Sequence, residues 1–133
     1  LKKILVADDH LEILEVVTEV LSYETFDVRG LSSGANVLDT VENFKPDLVL
    51  LDLKLGEDDG SELCREIKAL PGFKNTPVII YSAYVPNSPQ PEEYGCDDMI
   101  TKPFDIDELV TKINHLLYPS QSGINITGPL AGN

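Results

Sequence analysis

The chain has 133 residues, 42% of them hydrophobic and 25% charged, which suits one domain with a core of its own and no need of disulfides or structural metals. A formal net charge of -13, with no stripe of Lys or Arg to displace counterions, argues against direct binding of nucleic acid. No apolar run approaches the roughly 20 residues of a membrane span, and Cys64 and Cys96 lack CxxC or metal-ligand spacing, so a cytoplasmic protein without a signal peptide and with two quiet thiols is expected.

Residues 2–7 read as a first strand, and Leu11, Leu14, Val17 and Leu21 follow at helical spacing. Asp9, with Glu12 three residues on, has the form of a capping box for that helix. A weaker second strand covers 26–30, and a second helix runs from about 33 to 43, stopped by Lys45 and Pro46. Residues 47–52 are almost continuously apolar, as in a strand covered on both faces. A polar loop ends at Asp58, Asp59 and Gly60 and leads to a third helix, which Pro71 and Gly72 break after Leu70. The fourth and fifth strands fall at 76–81 and 97–101. Between them lie Pro86, Pro89 and Pro91, and proline damages a helix beyond its first turn. A shortened fourth helix over 89–94, capped by Ser88 and closed by Gly95, is therefore the most that segment can form. The last helix starts near Asp105, with Glu108 as its capping partner and Leu109, Ile113, Leu116 and Leu117 on one face. Residues 119–133 mix turn formers with small residues and read as a flexible tail or linker, so the expected domain is 1–118.

Alternating strands and helices place repeated βα units on a parallel sheet, and right-handed crossovers make the whole a three-layer α/β sandwich. Four of the apolar runs end on residues suited to handling a phosphoryl group: Asp8 with Asp9, Asp52, Ser82, and Lys102. Ligands of open α/β sheets bind beyond the carboxyl ends of the strands, so these residues are expected to converge although the chain separates them. Three carboxylates, a hydroxyl and an ammonium together suit a divalent cation and a phosphoryl group.

Each of these residues has a plainer reading. Asp9 alone is a common helix cap, but two adjacent acids at the end of a buried strand repel one another unless a cation neutralises them. Asp52 as a solvated loop acid conflicts with the four apolar residues before it, which fix where it leaves the sheet. An isolated Ser82 is ordinarily a turn residue. Lys102 as a snorkelling surface lysine fits poorly at a strand end before Pro103 and Phe104. His10 is expected to be exposed in the first helical turn, without a metal or catalytic role, and His115 to sit near a helix C-terminus where a cation suits the dipole. No GxGxxG, P-loop or HExxH motif occurs.

Taken together, Asp8 and Asp9, Asp52, Asp59 and Gly60, Ser82 and Ala83, and Lys102, Pro103 and Phe104 resemble the receiver domain of two-component response regulators, over residues 2–118. The resemblance implies a flavodoxin-like fold with strand order 2-1-3-4-5. It also implies a Mg2+ site made by the carboxylates of Asp9 and Asp52 and the backbone carbonyl of Lys54, with Asp8 acting mostly through a water. Asp52 would take a phosphoryl group from a sensor histidine kinase or phosphotransfer protein, with Lys102 and Ser82 contacting that group. A downstream effector protein or domain would read the result, and the chain would catalyse only its own phosphoryl transfer and slow hydrolysis. Three further implications are a cis Lys102–Pro103 bond, water access to the phosphoaspartate tuned at Lys54 and Tyr84, and Met99 where relatives carry an aromatic residue. With the fourth helix cut short, phosphorylation is expected to act on the 84–96 segment and not through a helical dimer face. Two other readings compete. One is a receiver-like interaction module that works without phosphorylation. The other is a metal-dependent phosphatase, although a haloacid-dehalogenase type needs a second acid where this chain has Lys54.

Overall fold

A computed structural model describes residues 1–83 and 90–119. Five strands form one parallel sheet: β1 (Lys3–Ala7), β2 (Asp27–Leu31), β3 (Leu48–Asp52), β4 (Val78–Ala83) and β5 (Asp98–Lys102). Their spatial order is β2-β1-β3-β4-β5, the expected order. All four pairings are parallel. Helices α1 (Leu11–Tyr23), α2 (Val37–Phe44), α3 (Gly60–Ala69), α4 (Pro91–Tyr94) and α5 (Ile106–Leu117) connect the strands or follow them.

The period-two alternation of strand side chains divides the core into two layers. Along β3, Val49 and Leu51 join Val37, Val41, Leu63 and Ile67 on the side of α2 and α3. Leu48 and Leu50 face the other way, with Val17, Leu21, Leu109 and Ile113 of α1 and α5. All five residues of β3 are buried, as a strand covered on both faces requires. Full burial of a side chain such as Leu109 or Ile113 contributes about 1.5–3 kcal/mol, so the two apolar layers hold the helices to the sheet.

Side chains set several strand starts. The amide of Lys3 donates to Asp47 Oδ2 at 2.8 Å, which ties the entry of β1 to that of β3. At β4, Pro77 has no N–H, and the amide of Val78 donates to Asp97 Oδ2 at 2.8 Å. Lys68 of α3 reaches the same carboxylate at 2.7 Å. Both β4 and β5 run further than expected, so Ser82 and Lys102 lie within the strands and not just beyond them.

Some local expectations are corrected. The N-cap position of α1 is His10, with no side-chain cap, because the Asp9 carboxylate turns instead to the amide of Gly56. Leu11 belongs to the apolar spacing yet is exposed at the mouth of the first turn. The second helix begins at Val37 and not near 33, since Gly34 and its neighbours form a turn in which Val37 N–H donates to Gly34 O. Asp105 does sit at the N-cap of α5, but its side chain makes no cap bond. Helix α4 is shorter still than 89–94: Gln90 is its N-cap, Glu93 returns a bond to the Gln90 amide at 2.8 Å, and Gly95 closes it at φ 76. Ser88 and Tyr84 lie outside the described residues, as does the chain beyond 119. The polar loop after Asp52 holds a small antiparallel ladder, Lys54–Leu55 against Asp58–Asp59, which the sequence did not announce.

Candidate functional site

Asp8 follows directly on β1, its amide still paired to Leu31 O at 3.0 Å, and the side chain is fully buried. A buried carboxylate must be satisfied by donors, and this one is. Oδ1 accepts from the His10 amide at 2.8 Å, and Oδ2 accepts from the Tyr81 hydroxyl at 2.7 Å and from Lys102 Nζ at 3.1 Å. Asp9, one residue on, is half exposed, and its Oδ2 accepts from the Gly56 amide at 2.9 Å.

Asp52 closes β3 beside Tyr81 of β4 and is 4% exposed. Its Oδ2 accepts from Lys102 Nζ at 3.0 Å and its Oδ1 from the Lys54 amide at 3.2 Å. Lys102 ends β5 and therefore spans two buried acids with one ammonium, which also lies 4.6 Å from the centre of the Tyr81 ring. Phe104 packs edge-on against that ring at 5.7 Å. The Lys102–Pro103 bond is cis, as the resemblance implies.

Gly60 makes this close assembly possible. Its amide donates to Leu53 O at 2.6 Å, and a Cβ there would stand 2.2 Å from Asp52 O. The N-terminus of α3 can approach the end of β3 only without a side chain, while Asp59 caps that helix through the Ser61 amide at 2.8 Å.

The electrostatics divide the two buried acids. Burial raises Asp52 above its ordinary value, and the bonds from Lys102 and the Lys54 amide offset this only in part. Burial acts on Asp8 in the same direction, but the His10 amide, Tyr81 and Lys102 outweigh it and hold that carboxyl below its ordinary value. Tyr81 itself is pushed far up by burial and by the acids beside it, so it stays a hydroxyl donor.

Three carboxylates against one ammonium leave a local excess of negative charge, and the oxygens of Asp8, Asp9 and Asp52 form a cluster able to hold a metal ion. Hard oxygen donors of this kind suit a small divalent cation. His10 belongs to the cluster too. Its Nδ1 is 3.3 Å from Asp8 Oδ1 and 3.4 Å from Asp9 Oδ1, while the ring is 67% exposed.

The structure thus brings Asp8, Asp9, Asp52 and Lys102 together. Lys54 enters through its amide, its side chain exposed. Ser82 lines the same open pocket of about 630 Å³, but its hydroxyl donates to Ala83 O at 3.2 Å and not to the cluster. Met99 is half-buried against the layer beside α3. His115 is remote, in a groove with Asp107 and Lys112.

Sequence reasoning missed two residues and undervalued a third. In the sequence Tyr81 is one more residue of an apolar strand, though a tyrosine at a buried position implies a partner for its hydroxyl. Nothing in the sequence marks the Gly56 amide as a donor to Asp9. His10 is exposed as expected, but it stands at the N-cap and not in the first turn, and its ring folds back over the acids.

The family model described as the response regulator receiver domain matches residues 4–114. Among curated relatives, the sensory transduction protein BceR of Halalkalibacterium halodurans is 36% identical over 118 residues, covering 87% of this chain and 49% of that protein. The response regulator ArlR of Staphylococcus saprophyticus is 35% identical over 130 residues, covering 95% of this chain and 58% of the relative. The chain spans about half the length of these relatives. Among solved structures, the Francisella response regulator 1452 receiver domain superposes with a TM-score of 0.80 at 30% identity, covering 90% of this chain and 99% of that one. The response regulator TrrA of Thermotoga maritima, in complex with Mg2+-BeF, gives 0.79 at 30% identity over 88% of this chain and 100% of its own. With the expected strand order and a matched length that runs from β1 into α5, this chain belongs to the response regulator receiver domain family of two-component signal transduction.

Proposed function

We propose that this chain is a phosphoacceptor switch in which Asp52 takes the phosphoryl group of a partner's phosphohistidine. The observation that carries the reading is the single ammonium of Lys102 set 3.0 Å from Asp52 and 3.1 Å from Asp8 at the ends of three strands. A carboxylate oxygen of Asp52 attacks phosphorus in line, the P–N bond breaks, and its electron pair leaves with the donor imidazole, which takes up a proton. Phosphoryl transfer asks for position and charge neutralisation more than for acid-base chemistry. Lys102 supplies a fixed cation for the phosphoryl oxygens, and rotation of the Ser82 hydroxyl away from Ala83 O gives them a donor.

Asp9, Asp52 and the Lys54 carbonyl would hold Mg2+, with Asp8 acting through a water, and the bound ion would neutralise charge on the transferring group. The TrrA structure with Mg2+-BeF supports this choice of ion. The partners follow from the chemistry: a histidine kinase or phosphotransfer protein upstream and an effector protein or domain downstream, in the cytoplasm. Among the described residues no helix is long and apolar enough to cross a membrane. Slow hydrolysis of the acyl phosphate resets the switch, and Tyr84, outside the described residues, is proposed to shield it from water. Met99 has no ring to turn inward after Ser82, so the relay is proposed to run through the segment around α4, not through a helical dimer face.

Intact-protein mass spectrometry after treatment with acetyl phosphate and Mg2+ tests the reading. The wild type gains one phosphoryl group and Asp52→Asn gains none. Equal labelling of the two proteins removes Asp52 from the role. Partner binding that ignores labelling would favour the phosphorylation-independent module instead.

A further inference from the structure

The ring nitrogen aimed into the acidic pocket belongs to His10, which has no task in the proposed phosphoryl transfer. Its Nδ1 faces all three acids, at 3.3 Å from Asp8 Oδ1, 3.4 Å from Asp9 Oδ1 and 3.9 Å from Asp52 Oδ2. The ligand atoms of these four residues all lie within 4.8 Å of one another. Around a six-coordinate ion with bonds of about 2.1 Å, adjacent donors stand about 3 Å apart and opposite ones about 4.2 Å, so Nδ1 lies near adjacent spacing from Asp9, at 3.4 Å, and nearer opposite spacing from Asp52, at 3.9 Å.

The backbone holds the ring there. The His10 amide is bonded to Asp8 Oδ1 at 2.8 Å, and His10 occupies the N-cap position of α1 in extended conformation, which sends the side chain back over the strand ends and not along the helix. Without an ion, Nδ1–H donates to Asp8 Oδ1 at 3.3 Å; ligation would exchange that bond for the Nδ1 lone pair and place the ring proton on Nε2.

We infer that His10 is a direct nitrogen ligand of the divalent cation, so that this pocket favours imidazole-binding first-row cations such as Mn2+ and Co2+ over Mg2+. The inference rests on the proposed cation site at Asp9 and Asp52 and adds a selectivity to it. Oxygen-only sites suit Mg2+, whereas a mixed set with one imidazole moves preference toward transition ions. The exposed ring can also swing out, so Mg2+ binds with water in place of the nitrogen.

The test uses the full chain, without a histidine tag, carrying ring-15N histidine and loaded with Mn2+ alone. Pulsed EPR of the bound ion reads directly whether an imidazole nitrogen is coordinated. Expected results are a strong 15N coupling in the wild type, its retention in His115→Gln and its loss in His10→Ala. Titration calorimetry then shows Mn2+ and Co2+ affinity falling at least about tenfold in His10→Ala, with Mg2+ affinity changed less than about twofold. Mn2+ bound at Asp9 and Asp52 without 15N coupling overturns the inference while leaving the cation site intact. Failure of Mn2+ to bind, or binding indifferent to Asp9→Asn and Asp52→Asn, overturns the site itself and the inference with it.

Discussion

The pocket has two unlike sides. Around Asp8 and Asp52, each buried carboxylate oxygen has a donor at 2.7–3.2 Å, the Tyr81 hydroxyl of β4 among them, and Lys102 locks Asp8 to Asp52. At the outer end of β4, Ser82 is half-buried and, among the described residues, its hydroxyl bonds to the adjacent carbonyl of Ala83. The first side is fixed before any ligand arrives, and the second has a single weak local bond to give up. A switch needs both: a rigid set of charges to select the phosphoryl group, and a group free to turn toward it.

Changes on the rigid side should therefore cost most. Removing the shared cation in Lys102→Met should lower the rate of labelling by acetyl phosphate at least about a hundredfold, because a charge-stabilising donor is lost. A loss under about threefold would show that a divalent cation alone supplies the neutralisation.

Next comes the backbone that carries Asp52. Gly60→Ala forces a Cβ onto Asp52 O, and should destabilise the protein by about 1–3 kcal/mol in urea unfolding while disturbing labelling. Unchanged stability would mean that α3 can retreat without moving β3.

The two buried acids should respond in opposite senses in the absence of divalent ions. Asp52 is raised, so its folded form holds a proton longer than its unfolded form does. Stability then falls as pH climbs above the ordinary 3.8, and Asp52→Asn should be neutral or stabilising above that pH. Asp8 is lowered, so it contributes stability above 3.8 that disappears as pH falls through its folded value. Asp8→Asn should cost about 1–2 kcal/mol near neutral pH, since it loses charge-assisted bonds from Tyr81 and Lys102. Unfolding curves for both variants across about pH 3 to 7 check the signs, and matching slopes would contradict this division of roles.

The smallest effect belongs to the loose side. Ser82→Ala should leave stability within about 0.5 kcal/mol, because it removes one partly exposed local bond, yet slow labelling measurably. Stability lost without a change in labelling would reverse the assignment of rigid and loose sides.

The same contrast explains what the sequence could and could not show. The apolar run before Asp52 and the paired acids after β1 fixed the strand ends, because buried parallel strands leave little freedom in where they stop. The strand order and the separate roles of the site residues, that of Lys54 included, came from resemblance, since no local pattern records which strands lie side by side. Long-range hydrogen bonds were invisible: Tyr81 to Asp8 spans 73 positions, and the Gly56 amide to Asp9 spans 47. Capping failed as a guide at Asp9 and Asp105, where acids suited to a helix start turned elsewhere or made no cap bond. At Asp9 a tertiary partner, the Gly56 amide, outcompeted the local one.

The central claim is that Asp52, and neither of its acidic neighbours, receives the phosphoryl group. Borohydride trapping after acetyl phosphate treatment tests it most directly, since reduction of an acyl phosphate converts that one aspartate to homoserine, which peptide sequencing by mass spectrometry then locates. The account predicts homoserine at position 52 alone in the wild type, and none in Asp52→Asn. Homoserine at position 8 or 9, or an unmodified position 52 in a phosphorylated protein, would contradict it.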